Sequence, residues 1–416
     1  MTAVFIESNT TGSGMLAFSR AGRLGFPAVL ATADPGRYAG LAETGVPVVA
    51  CDTNSPDTLA AELRAAVRHI SGVVTTSEFY AVTVARVAAE LALPGNEPGA
   101  VARCRDKGRL RETLAASALP APAFELVRPG DDVDHLVASA LSRISLPCVV
   151  KPVDDTGSYD VLLCATAAEV TGQCRRILAT HTNVRGQATA RTALIESYLD
   201  GPEYSMEMLS HGSRHRCVGV TAKRVTAPPH FVERGHVFPA QLSPHAQQTL
   251  TQTAADALSA VGITAGVTHL EMKLIEGLGY VVEINPRPAG GMIPEVVARS
   301  CGFDLLEAHL RAALGLAPPP VPERCTPAGV AFLLVQRSGG LLREVAGTAD
   351  ALAIPGVDAV TITAVRGAAI RAARSSYDRF GYVLAHAETH ADLDSVLARA
   401  LGLLRPVFHT EPIGAP

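Results

Sequence analysis

The chain has 416 residues, enough for two to four domains at roughly 100–200 residues each. Hydrophobic residues make up 48% and charged residues 18%, which excludes a disordered chain and allows a large core. Lys and Arg total 36 against 40 Asp and Glu, a net charge of −4, so nothing marks a nucleic-acid partner.

The opening MTAVFIESNTTGSG lacks the basic segment and long apolar run of a signal peptide. Ala3–Ile6, Pro27–Thr32, Pro47–Ala50 and Gly72–Thr75 read as short strands, with helices over Met15–Arg23, Leu59–Arg68 and Ala81–Leu91. That βαβα rhythm predicts an open parallel sheet. Gly12-x-Gly14-x-x-Ala17 between strand and helix, with Asp34 further on, has the form of a dinucleotide fingerprint. Glycine-rich βα turns also arise for steric reasons alone, and we read this one as structural. The turn-rich Pro94–Ala100 closes the unit, and a helix starts at about Asp106.

From Leu146 the strands are longer and read as antiparallel: LPCVVKPV, ALIESYL, YSMEML, HRCVGVTAK, VTHLEMKLI and GYVVEINPR. Helices are expected over His245–Val261 and Ile293–Leu314, and a proline linker at 317–324. A mixed segment follows, with a last helix over Ala391–Leu404. No run of about 18 apolar residues predicts a membrane span. The eight cysteines include no CxxC pair and read as free thiols of a reducing cytoplasm.

The chemistry collects in THLEMKLIEGLGYVVEINPRPAGGM, residues 268–292. Period-two alternation places His269, Glu271 and Lys273 on one face of a first strand, and Glu283, Asn285 and Arg287 on one face of a second. The register that keeps like with like sets Glu271 opposite Glu283 about Gly277. Facing carboxylates repel unless a cation sits between them. Two carboxylates and an amide suit Mg²⁺ shared with phosphates; the alternative is a solvated polar face. Arg287 and the bare backbone of Gly290-Gly291 suit an anion beside such a metal. Upstream, Lys151 ends an apolar strand before a turn containing Gly157 and Ser158, a cation and N–H donors for a polyphosphate. Lys107, opening a helix, is a second candidate cation, and no P-loop motif is present.

In this order these pieces resemble the ATP-grasp superfamily over nearly the whole chain. HxExK followed by NPRPAGGMIPE is most similar to its L-amino acid ligases and related carboxylate–amine ligases. The resemblance implies an α/β and α+β architecture: a Rossmann-like domain over 1–105, an ATP-grasp small subdomain over 106–190, a large subdomain over 191–318, and a C-terminal lid over 325–416. It implies ATP and Mg²⁺ as cofactors, small-molecule carboxylate and amine substrates, no nucleic-acid or membrane partner, and a homodimer.

Carried over by position, Lys107, Lys151, Gly157 and Ser158 would hold the ATP phosphates. Glu196, Tyr198 and Leu199 would line the adenine hinge, and Glu203 would hold the ribose. Glu271, Glu283 and Asn285 would bind Mg²⁺, and Arg287 would steady the γ-phosphate or an acyl phosphate. VERGHVFPA, residues 232–240, resembles the group's substrate loop and would bring Glu233 and His236 to an amino group. The backbone at Gly290 and Gly291 would hold an oxyanion, and His236, Glu233 or His269 would be the base. Asp160 stands where many members have glycine, and Arg366, Arg371, Arg374 and Arg379 read as a solvated basic face. Alternatives within reach are a carboxylase or purine-synthesis reaction, or a silent nucleotide-binding protein.

Overall fold

The computed structural model describes residues 1–10, 14–337 and 339–409. Its first unit is a parallel sheet in the order Val48–Ala50, Ala28–Thr32, Thr2–Ile6, Ile70–Val74, as the alternating pattern predicts. Gly12 of the fingerprint lies outside the described residues. A Cβ on Gly14 would fall 2.3 Å from the carbonyl oxygen of Asn9, so glycine is needed there for backbone approach alone. Asp34 caps its own turn through Gly36 N–H at 3.1 Å and pairs with Arg37 at 3.1 Å, which commits its carboxylate locally.

The segment expected to be a turn at Pro94–Ala100 instead opens a helix, Pro98–Arg105. Pro98 sits in the first turn, where its missing N–H is harmless, and Glu97 accepts from Gly99 and Ala100 N–H at 2.8 and 2.7 Å. Asp106 caps the next helix, Lys107–Ala116, in the same way.

A second, antiparallel sheet follows in the order Phe124–Val127, Ala193–Ser197, Cys148–Pro152, Leu162–Cys164. Helices Val133–Leu141 and Ala167–Ala179 close its apolar face over Val150, Val170, Ile177 and Ile195. Strand Ala193–Ser197 belongs to this sheet, so the boundary expected at 190/191 falls beside one of its inner strands.

The third sheet has eight antiparallel strands. In spatial order they are Leu278–Asn285, Ala265–Ile275, Glu203–His211, Arg214–Val225, Glu233–Phe238, Ala328–Leu333, Gly381–His386 and Val357–Ile362. Helix Pro244–Val261 covers one end through Leu250, Ala254 and Leu258 against Met206, Leu270 and Ile284. Two corrections emerge here. Residues 232–240, expected as a loop, hold the inner strand Glu233–Phe238. The single helix expected over Ile293–Leu314 is two, Ile293–Cys301 and Leu305–Ala313. Gly302 turns left-handed at φ 72° between them, and Asp304 caps the second through Leu306 and Glu307 N–H.

The C-terminal segment supplies three strands to this sheet and builds a separate one from Ala369–Ile370, Gly340–Ala346 and Arg405–Phe408. Its last helix, His390–Leu403, packs Leu393 and Leu397 against Val237 and Val383.

Candidate active site

A cavity of about 690 Å³ lies among the sheets, and every site residue named from the sequence lines it. Its metal-binding candidates are set by the hairpin of Ala265–Ile275 and Leu278–Asn285. Glu276 (φ 49°) and Gly277 (φ 79°) form a two-residue connection with both positions left-handed, the geometry that matches strand twist in tight hairpins. His269 faces Asn285, Leu270 faces Ile284 and Glu271 faces Glu283, as the even-sum register requires. Beyond Glu271 a bulge shifts the pairing, so Lys273 opposes Tyr280. Bulges of this kind re-aim side chains beside sites.

Lysines now neutralise the facing carboxylates. Lys223 Nζ lies 2.9 Å from Glu203, 2.8 Å from Glu233 and 2.9 Å from Glu271. Lys107 Nζ lies 3.4 Å from Glu283 and donates to the carbonyl of Asp155 at 2.7 Å. Asn285, with its amide nitrogen turned inward, donates to Glu78 and Glu283 at 3.0 Å. Turned over, that amide offers its oxygen. The donor set is then hard oxygen throughout, and it fits a divalent cation that would displace the lysines. Arg287 Nε pairs with Glu78 at 2.8 Å, a buried carboxylate from the first domain.

Glu196 lines the cavity, yet its carboxylate is committed to Lys151 and to Arg111 Nε at 3.0 Å. It sets the position of Lys151 rather than offering a free acceptor to a base. Burial alone would raise its pKa, but Arg111 and Lys151 outweigh burial and bring it down to about 2. Lys151 is lowered too, by burial and then by the neighbouring cations, so the strain of this triad falls on the lysine. Tyr198 stacks on Phe231 with centroids 5.8 Å apart, and Lys273 lies 5.3 Å above the Tyr198 ring while donating to the carbonyl of Leu199 at 2.9 Å.

The two histidines divide by charge. Burial would lower the pKa of His269, but Glu207, 3.1 Å from Nδ1, and Glu271, 3.5 Å from Nε2, bring it up to about 9. These two carboxylates favour the charged form of His269. Burial takes His236 down to about 3; the opposing pull of Glu233 is outweighed with help from Arg379 and Lys223. It is neutral, 1% exposed, and neither ring nitrogen has a hydrogen-bond partner. A Cβ on Gly291 (φ 57°) would sit 2.8 Å from His236 Nε2, so the Gly290-Gly291 backbone closes on the ring. That backbone leads into helix Ile293–Cys301, whose first N–H, of Ile293, donates to the Gly290 carbonyl at 3.1 Å and whose second residue, Pro294, has none.

Several residues that line the cavity were not singled out from the sequence as site residues. Lys223 ends the apolar run CVGVTA, and only the alternation of its strand hinted that it faces the same way as Thr221. Arg379 is not solvated: it pairs with Glu233 and lies 3.9 Å from the Phe332 ring centroid, while Arg366, Arg371 and Arg374 are exposed. Arg37 and Arg185 line the end of the cavity nearest the first domain. Asp160, in place of glycine, adopts a left-handed φ of 54° and pairs with Arg176 at 2.8 Å.

Residues 144–295 match the ATP-grasp domain, and residues 331–409 match the L-amino acid ligase C-terminal domain 2. The chain is 30% identical over 406 residues to the uncharacterised protein y4rH of Sinorhizobium fredii, covering 96% of this chain and 81% of that one. The chain belongs to the ATP-grasp family. Within it, the chain stands among the ADP-forming carboxylate–amine ligases. Carnosine synthase 1 of Mus musculus is 26% identical over 249 residues, which span 57% of this chain and 30% of that protein.

Among solved ATP-grasp structures, the L-amino acid ligase from Bacillus licheniformis superposes with a TM-score of 0.82 at 22% identity, covering 99% of both chains. The biotin carboxylase domain dimer of Hydrogenobacter thermophilus 2-oxoglutarate carboxylase, solved with MgADP, gives 0.75 at 14% identity over 98% of this chain and 90% of that one. ATP-grasp proteins bind ATP with Mg²⁺. Among the described residues no helix is long and apolar enough to cross a membrane.

Proposed function

We propose that this site joins two amino acids, or an amino acid and another small carboxylic acid, through an acyl phosphate, releasing ADP and phosphate. One observation carries the reading. A phosphate end, Lys107, Lys151, Glu271, Glu283 and Arg287, shares one cavity with an amine end, Glu233 and His236.

Bringing a carboxylate to ATP sets two anions together, and Lys107, Lys151 and Arg287 supply the opposing charge in place before the transfer. Glu271, Glu283 and Asn285 would hold Mg²⁺, which when bound neutralises phosphate charge. Lys223, with Glu271 given over to the cation, would keep Glu203 and Glu233 as partners. The stacked pair Tyr198–Phe231 would border the adenine, and Glu203 the ribose.

At the amine end, Glu233 is held ionised and suits an ammonium group. Burial would raise its pKa, but Lys223 and Arg379 hold it well below the usual carboxylate range. Burial holds the His236 ring neutral and makes it a poor proton acceptor beside an α-amine that titrates near 8. His236 therefore accepts a hydrogen bond and aims the amine. The amine's proton goes to the departing phosphate, which must gain one as the acyl C–O bond breaks. The N–H groups at Gly290 and Gly291 face the oxyanion formed during attack.

Eight free cysteines, with Cys148 and Cys164 unbridged although directly opposite in the small sheet, suit a cytoplasmic enzyme. The assembly we propose is a homodimer, by analogy with the dimeric biotin carboxylase domain.

The test is phosphate and ADP release with Mg²⁺, screening carboxylic and amino acids singly and in pairs, with mass spectrometry of products. Release that depends on a pair, with an amide of matching mass, is the expected result. Turnover with single acids and no amide from any pair would overturn the amide-forming reading.

A further inference from the structure

The phosphate loop at Asp154–Asp160 is held in a conformation its own side chains resist. Ser158 (φ 58°) and Asp160 (φ 54°) are left-handed without being glycine, beside Gly157 at φ 68°. Such residues persist only where their surroundings over-determine them. Part of the hold is local: Gln173 Nε2 donates to the carbonyl of Asp160 at 2.7 Å, and Arg176 pairs with its carboxylate.

The rest comes from the C-terminal segment. Ser376 N–H donates to the carbonyl of Gly157 at 3.2 Å. The Tyr377 ring covers Gly157 so closely that a methyl group there would meet it at 3.5 Å. The turn that carries both residues is locked by a reciprocal cap. Ser375 Oγ accepts from Tyr377 N–H at 3.3 Å, and Asp378 accepts from Ser375 N–H at 2.9 Å and Arg374 N–H at 2.8 Å. The next residue, Arg379, pairs with Glu233 and donates from Nε to the Glu233 carbonyl at 3.1 Å. Five consecutive residues thus grip the phosphate loop at one end and the amine pocket at the other.

We propose that Ser376 and Tyr377 are positioning residues that hold the phosphate loop closed over ATP, and that the Ser375–Arg379 turn couples this closure to filling of the amine pocket. The ligands rest on the function proposed above; the interlock itself rests on the contacts of the turn. An amino acid arriving as a zwitterion offers its ammonium to Glu233 and its carboxylate to Arg379. It therefore enters the ion pair that anchors the turn, and the phosphate loop feels its arrival.

The experiment measures affinities of the full chain for MgATP and for AMP, which lacks the phosphates under the loop. It does so with and without an amino acid, in wild type, Tyr377→Ala and Tyr377→Phe. Tyr377→Ala is expected to weaken MgATP about tenfold and leave AMP unchanged, while Tyr377→Phe, which keeps the ring, behaves as wild type. Reciprocity then requires the amino acid to shift MgATP affinity about fivefold or more in wild type and not in Tyr377→Ala. Tyr377 is 54% exposed, so the thermal midpoint should not move, which separates positioning from folding.

Equal weakening of MgATP and AMP, or no change in either, overturns the interlock. A wild type that yields no amide from any pair, yet keeps the selective MgATP loss in Tyr377→Ala, overturns the ligase reading and leaves the interlock standing.

Discussion

Glu196 shows how a buried residue lining a cavity can be committed by its neighbours. Its carboxylate sits between Lys151 and Arg111, both cations at most 4% exposed, and is driven down to about 2 against the effect of burial. A carboxylate lowered in the folded state contributes stability that is present above its unfolded value near 4.5 and is lost as pH falls through about 2. Acid unfolding of the wild type should therefore steepen between those values. Glu196→Gln should lose this pH dependence and be destabilised near neutral pH by about 3 kcal/mol, because two cations stay buried without their partner. Urea titrations at pH 7 and about pH 3 check both; a variant with the wild-type pH slope would show that the triad does not act as a unit. Sequence reading placed Glu196 on the cavity and did not see its ion pairs with Arg111 and Lys151. The strand end ESYL was legible, but the salt bridge is made by Arg111 from a helix 85 residues upstream, a distance no local pattern spans. Lys223 escaped for the same reason, since its three carboxylates come from three different strands.

At the scale of elements, what could be read in advance followed from short-range rules. The hairpin of Ala265–Ile275 and Leu278–Asn285 declared itself because alternation and a pair of acids at equal distance from Gly277 required the same even-sum register. The bulge after Glu271 was not legible: it reconciles the even-sum pairing of Glu271 with Glu283 and the two-residue turn that pairs Ile275 with Leu278. Pro98 misled because proline marks both turns and first turns of helices, and only the cap by Glu97 decides between them. The turn itself gives a clean test. Gly277 has φ 79° and open space around its Cα, so Gly277→Ala meets no clash and bears only the left-handed penalty, about 1–2 kcal/mol. It lies outside the cavity lining. A lowered thermal midpoint with unchanged MgATP affinity is expected; a loss of affinity as well would mean that the hairpin register, and with it the Glu271–Glu283 pair, had slipped.

Across the whole molecule, the C-terminal segment is more than a cover over the site. Strands Ala328–Leu333, Gly381–His386 and Val357–Ile362 extend the sheet that carries Glu233 and Glu271, and Ala328–Leu333 pairs directly with Glu233–Phe238. One apolar cluster spans the join, with Phe238, Val296 and Phe303 against Val330, Phe332 and Leu384. The proline run at 317–324 reads as a linker, and composition carries no record of strands that pair across it. The physical consequence is strong. Ending the chain after Leu316 would strip one edge of Glu233–Phe238 of its hydrogen bonds and open half of that cluster to water. It would also leave Glu233 without Arg379. Such a truncated chain should show no cooperative thermal transition by circular dichroism and no saturable MgATP binding, even though Lys107, Lys151, Glu271 and Glu283 are all retained. A detached lid predicts the opposite: a truncated chain that melts cooperatively and binds MgATP with ordinary affinity, losing only amide formation.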